Sequence, residues 1–286
     1  MLLLSGCSAL RLAYNTGPQL AWWWLDGYVD FSSEQSPRAR AAIDQWFEWN
    51  RSTQLLDYAA LVAGARAEVL EPATAAQACR WQQRLRDAAE PALERALQQA
   101  AELLPGLGEP QWRHIEQRFA KNNAEMRRDF LQADLEDRRE ASVKRVLDRA
   151  ETLYGRLDEP QRRVVAAGVA ASPFDPLAWL GERERRQRET VQTLRRLAAE
   201  RADRDRIVAA LRVMVERAER SPDPAYRVYQ QRLADYNCAF AARIHNATTR
   251  EQRQAARDQL KTWEDDLRAL AASRPTAPAS LQPGAG

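Results

Sequence analysis

Along most of the chain apolar residues recur every three or four positions with charged residues between them, the spacing of amphipathic helices rather than of strands. After Gln111 the series Ile115, Phe119, Met126, Phe130, Leu135, Val143, Val146 and Leu147 predicts one helix of about 45 residues, or about 65 Å. Ser36-Pro37 ahead of Ile43, Phe47, Leu55 and Leu61 predicts another long helix, or two with a break near residues 51–53. Thr74 is placed to cap a third, kinked at Pro91. Ser172-Pro173-Phe174-Asp175-Pro176 reads as a loop before a helix from about Leu177. Further helices are predicted over about 203–219, 224–246 and 249–271, with Ser221-Pro222-Asp223-Pro224 between two of them and Thr248 with Glu251 as a capping box. The expected fold is all-α, an elongated bundle of long amphipathic helices over residues 31–272, with a Trp-rich segment over 7–30 before it. The Pro-, Ala-, Ser- and Gly-rich residues 273–286 form a tail expected to be disordered.

A short pattern occurs three times, as Phe31-Ser32-Ser33-Glu34-Gln35, Leu107-Gly108-Glu109-Pro110-Gln111 and Leu157-Asp158-Glu159-Pro160-Gln161. An apolar residue can staple the entering chain, the next can cap, and the glutamine can reach back to the cap amide. Proline is tolerated in a first turn because its missing amide hydrogen has no helical partner there. The sequences that follow diverge, so the pattern marks helix starts rather than a repeat array.

Composition sharpens this picture. Apolar residues make up 45% and charged residues 29% of the 286, and the 11 glycines are few for strand-and-turn folds or phosphate loops. The charge of +3 is a small difference between 43 basic and 40 acidic residues, interleaved as on helix surfaces, and gives no argument for nucleic acid. No apolar run reaches the length of a membrane-spanning helix. Three cysteines, Cys7, Cys79 and Cys238, are too few for a disulfide framework.

The opening residues carry the sharpest chemical signal. Leu4-Ser5-Gly6-Cys7 resembles the lipobox of a bacterial lipoprotein signal peptide, an aliphatic residue and two small ones before the cysteine that takes a diacylglycerol thioether. The resemblance implies cleavage after residue 6, palmitate-type acylation of Cys7 and a stable two- or three-chain anchor. Ser8, rather than aspartate, follows the cysteine, which by the same resemblance implies the outer membrane, with the body facing the periplasm. Only six residues precede Cys7 where a leader usually has about 15 to 30, so Met1 reads as an internal start or the end of a truncated leader.

The three glutamine segments look like the LTxxQ motif of Spy- and CpxP-like periplasmic chaperones, with Ser32, Gly108 and Asp158 in place of its threonine. Cys7-Ser8, Tyr14-Asn15, Gly17-Pro18, Trp23-Trp24-Leu25-Asp26, Phe174-Asp175-Pro176, Trp179-Leu180 and Glu182-Arg183 together resemble a proteobacterial family of helical lipoproteins of uncharacterised function. That resemblance implies compartment and fold and transfers no catalytic residue.

Elsewhere the chain offers no recognisable constellation. His114 and His245 are distant in sequence and lack a metal-binding spacing, and each reads as an ordinary helix-face residue. Cys79 and Cys238 read as buried thiols, with pairing between them the minority expectation because they lie so far apart. Trp22-Trp23-Trp24 reads as core packing, with the lipid headgroup level as the alternative. The run from Glu182 to Glu189 reads as a solvated face of intrahelical pairs. The expected function is a membrane-tethered, non-enzymatic protein that needs no cofactor or metal and binds polypeptides or envelope components, with chaperone-like capacity. The alternatives are a peptidoglycan-acting hydrolase or its accessory factor, and a structural scaffold of the envelope.

Overall fold

Short side chains that accept from exposed amides set most of the helix starts. The computed structural model describes residues 9–273, and among them the regular structure is eleven α-helices and one 3₁₀ turn, with no strand. Cys7 with its lipobox, and the tail beyond Ser273, lie outside the described residues. The helices are α1 (Ala9–Val29), α2 (Ser36–Thr53), α3 (Leu55–Glu68), α4 (Ala75–Leu103), α5 (Glu109–Phe130), α6 (Leu135–Tyr154), α7 (Glu159–Ala170), α8 (Pro176–Ala199), α9 (Arg204–Glu219), α10 (Pro224–Ala247) and α11 (Arg250–Ala272). Thr74 caps α4 in a full box with Gln77, and Asp175, Asp203 and Asp223 cap α8, α9 and α10, each worth about 1 kcal/mol. α4 runs on through Pro91.

Two expectations are corrected. The helix of about 45 residues is two, α5 and α6, separated by residues 131–134. Asp134 ends the continuity by accepting from the amides of Glu136 at 2.7 Å and Asp137 at 3.1 Å, and the two acidic side chains suit the positive end of the new helix. The last capping box is Thr249 with Gln252, one residue on from Thr248 and Glu251, because Thr248 Oγ donates to the His245 carbonyl instead, at 2.6 Å. The Trp-rich segment is itself the helix α1, which carries Pro18 within it.

α3 and α11 form the most extensive helix pair. Leu55 and Ala59 pack there against Leu267 and Leu270, with Leu10 and Tyr14 of α1 alongside. Arg51 donates to the Leu270 carbonyl at 3.0 Å and to Asn15 Oδ1 at 2.8 Å, tying α1, α2 and α11 together. A second core joins Trp112, Val191, Leu197, Ile207 and Val208 of α5, α8 and α9. A third joins Leu157, Val165 and Phe240, from the α6–α7 turn, α7 and α10. Gly168 is required in it: a Cβ there would lie 2.0 Å from Phe240 Cε2.

The glutamine segments do more than start helices. Each glutamine accepts its own cap amide, Gln35 from Ser32, Gln111 from Gly108, Gln161 from Asp158 and Gln252 from Thr249, at 2.8 to 3.0 Å. Its Nε2 then donates to the carbonyl just before a second such segment. Gln35 reaches Gly106 at 2.5 Å and Gln111 reaches Asp30 at 3.3 Å. Gln161 reaches Ala247 and Gln252 reaches Arg156, both at 2.9 Å. The starts of four helical segments are thereby joined in two reciprocal clasps that share one geometry.

Candidate functional site

An open groove of about 1130 Å³ is formed by α4, α9 and α10. Helical spacing brings Arg86, Glu90, Leu93, Glu94 and Leu97 of α4 to one wall, Arg212, Val215 and Glu219 of α9 to another, and Arg227 and Val228 of α10 to the third. Leu93 is 39% exposed and Val228 is 71% exposed, so the apolar lining is open to solvent. Arg212 spans from α9 to Glu94 on α4 with both Nε, at 2.9 Å, and Nη2. These bonds, with the Gln98 amide, hold the Glu94 carboxyl down at about 2. The groove lining therefore mixes exposed apolar side chains with charges of both signs, suited to a chain with mixed side chains.

One end of the groove is covalently fixed. Cys79 of α4 and Cys238 of α10 form a disulfide, with Cα atoms 5.2 Å apart across a sequence separation of 159. This overturns the expectation of two buried thiols: α4 and α10 pack side by side and bring the two positions within bonding distance.

The histidines also occupy more specific places than the sequence indicates. His245 is buried, not a surface helix residue. Its Nε2 lies 2.7 Å from the Glu71 carbonyl and its Nδ1 lies 2.8 Å from the Tyr154 hydroxyl. A carbonyl can only accept, so Nε2 carries the proton and Nδ1 accepts from the phenol. Burial pushes His245 below its ordinary value and Tyr154 up to about 12, which keeps the pair neutral. His114 is partly exposed on α5, with its Nε2 3.2 Å from the Gly27 carbonyl.

The run from Glu182 to Glu189 is not a solvated face. Its pairs within the helix exist, Arg185 reaching both Glu182 and Glu189. Yet Glu182 is buried and accepts from Ser221 at 2.9 Å, while Arg183 donates to Asn123 of α5 at 3.1 Å and Arg217 of α9 pairs with Glu189. Arg185 and Ser221 together lower the Glu182 carboxyl. The run fastens α8 to its neighbours. Of the three tryptophans, Trp22 is buried, stacked on Phe31 and with the Arg40 guanidinium over its ring, whereas Trp23 and Trp24 are 62% and 63% exposed.

No arrangement of three or more His, Cys, Asp or Glu side chains suited to a metal occurs among the described residues. The groove residues were not singled out by sequence, since the partnership of α4 with α10 leaves only one sequence trace, the second and third cysteines.

The model of DUF6279, a family of unknown function, matches residues 27–227, well over half of the chain, and the protein belongs to that family. No curated protein and no solved structure matches it.

Proposed function

We propose that this DUF6279 member is a lipid-anchored protein of the bacterial cell envelope, held by Cys7 in the outer membrane and facing the periplasm, that binds unfolded or extended segments of other polypeptides along the α4–α9–α10 groove. The observation that carries this reading is the groove itself, whose exposed Leu93 and Val228 sit among arginines and carboxylates on three helices. Apolar surface left open beside a charged rim favours a polypeptide over a small polar ligand. The disulfide supports an exported location, because such bonds persist in oxidising compartments. The likeness of the glutamine segments to the LTxxQ motif supports a chaperone-like capacity of the kind found in Spy- and CpxP-like proteins.

The test is suppression of aggregation of a heat-unfolded client by the purified full chain carrying Cys7→Ser, without reductant, nucleotide or metal. Suppression should be complete near one-to-one stoichiometry and should fall at least about fivefold in Leu93→Glu/Val228→Glu, which changes only exposed positions. Equal suppression by both proteins would remove the groove from the account. Solubilisation of purified peptidoglycan by the body would replace it with the hydrolase.

A further inference from the structure

The outward face of α1 carries no charge and is open to solvent among the described residues, with Trp24 resting against Tyr28 of the same helix. At 100° per residue, Leu12, Leu20, Trp23 and Trp24 fall within an arc of about 120°. Their exposures are 61%, 50%, 62% and 63%. The other exposed residues within this arc are alanine, threonine and glycine. The opposite face is fixed to the body: Tyr14 donates to Asn50 Oδ1 at 3.0 Å, Trp22 stacks on Phe31, and Tyr28 packs on Phe119. The helix cannot roll to hide the apolar stripe without breaking these contacts.

We infer that this face is a membrane-docking surface on which α1 lies along the bilayer interface, giving the protein a second, non-covalent hold on the lipid. The inference rests on the lipid-anchor reading in choosing the occupant, since Cys7 stands two residues before Ala9 and an acylated thiol there would bring the start of α1 to the headgroups. Indole rings favour that level, and Leu12 to Trp24 give an uncharged apolar stripe about 18 Å long. The helix lies on the bilayer rather than through it, because among the described residues no helix is long and apolar enough to cross a membrane. Covalent anchor and apolar face together would set the body's orientation, where a lipid alone leaves it free to tumble on its tether.

The experiment uses the full chain as Cys7→Ser, which has no acyl group, so that its outcome is independent of lipidation. The protein is floated with vesicles of phosphatidylethanolamine and phosphatidylglycerol. Binding is expected, with quenching of tryptophan emission by lipids brominated near the headgroup, and Trp23→Ser/Trp24→Ser should weaken the bound fraction at least about tenfold. Circular dichroism of the variant should match the parent, because both rings are exposed and the one ring contact that is lost, Trp24 on Tyr28, lies within α1. Failure of the unacylated chain to float, or equal flotation of the variant, would overturn the inference while leaving acylation of Cys7 standing. A Trp23-dependent dimer in sedimentation equilibrium with no vesicle binding would assign the face to a second copy instead, and would equally overturn it.

Discussion

Gln161 and Gln252 hydrogen-bond to each other in both directions, at 2.6 and 3.0 Å, while each closes its own capping box and donates to the carbonyl preceding the other's segment. Gln161 is only 5% exposed, so its amide groups have no water to turn to if the partner is lost. Gln161→Leu should cost about 2 to 3 kcal/mol by urea unfolding, because it orphans the Ala247 carbonyl and the Asp158 amide together. The corresponding change at Gln35, in the more open clasp, should cost about 1 kcal/mol. A double-mutant cycle of Gln161 and Gln252 should show coupling, and simple additivity would mean that the two boxes act separately.

The disulfide predicts a redox-dependent stability. Closing a loop between residues 79 and 238 removes about 5 kcal/mol of chain entropy from the unfolded state in the simplest model, and native disulfides commonly deliver about 2 to 5. Cys79→Ser/Cys238→Ser should therefore unfold at markedly lower urea, and the wild type with reductant should behave like the variant. Denatured, oxidised Cys7→Ser protein should react with no thiol reagent. Two free thiols would remove the bond.

His245 predicts acid sensitivity above the carboxylate range. Its pKa in the fold lies below the ordinary 6.5 because burial disfavours the imidazolium, and protonating Nδ1 would also oppose the Tyr154 hydroxyl proton. Above 6.5 both folded and unfolded states are neutral there and its contribution is complete. As pH falls below 6.5 toward the folded value, the unfolded chain takes up a proton that the folded one refuses, and stability drops by up to about 1.4 kcal/mol per pH unit. His245→Gln should flatten the dependence between pH 7 and 5, and an unchanged slope would assign it elsewhere.

Acylation of Cys7 is separable from all of these. With a complete leader upstream, a fatty-acid analogue should label the wild type in cells and leave Cys7→Ser unlabelled. Equal labelling would remove the covalent anchor.

Helix content was readable because it depends on local spacing: Thr74, the two Pro-Gln segments and the loop before Leu177 all mark real helix starts. The break at Asp134 was masked because the apolar series continues on both sides of it. Thr248 and Thr249 show the same limit, since two adjacent threonines each have a plausible box and only the competing bond to the His245 carbonyl decides between them. Position in three dimensions was much less legible. Nothing local to Cys79, His245 or Glu182 announces a partner many residues away, and Trp22 differs from Trp23 and Trp24 only in the direction it faces. The resemblance residues Tyr14, Asn15 and Asp175 likewise prove to bind helix to helix or to cap.

The Arg51 guanidinium reaches the Leu270 carbonyl across 219 residues of sequence, in the same region where α3 packs on α11. A chain made from its amino terminus thus presents Leu55 and Ala59 long before Leu267 and Leu270 exist to cover them. The first helices must wait, with their apolar edge open, until the last one arrives. Truncation ahead of α11 should therefore leave a sticky early product rather than a smaller folded protein. A circular permutant that opens the chain before α11 and joins the old termini places α11 ahead of α1, α2 and α3, and should shorten that vulnerable interval and fold faster than the natural order.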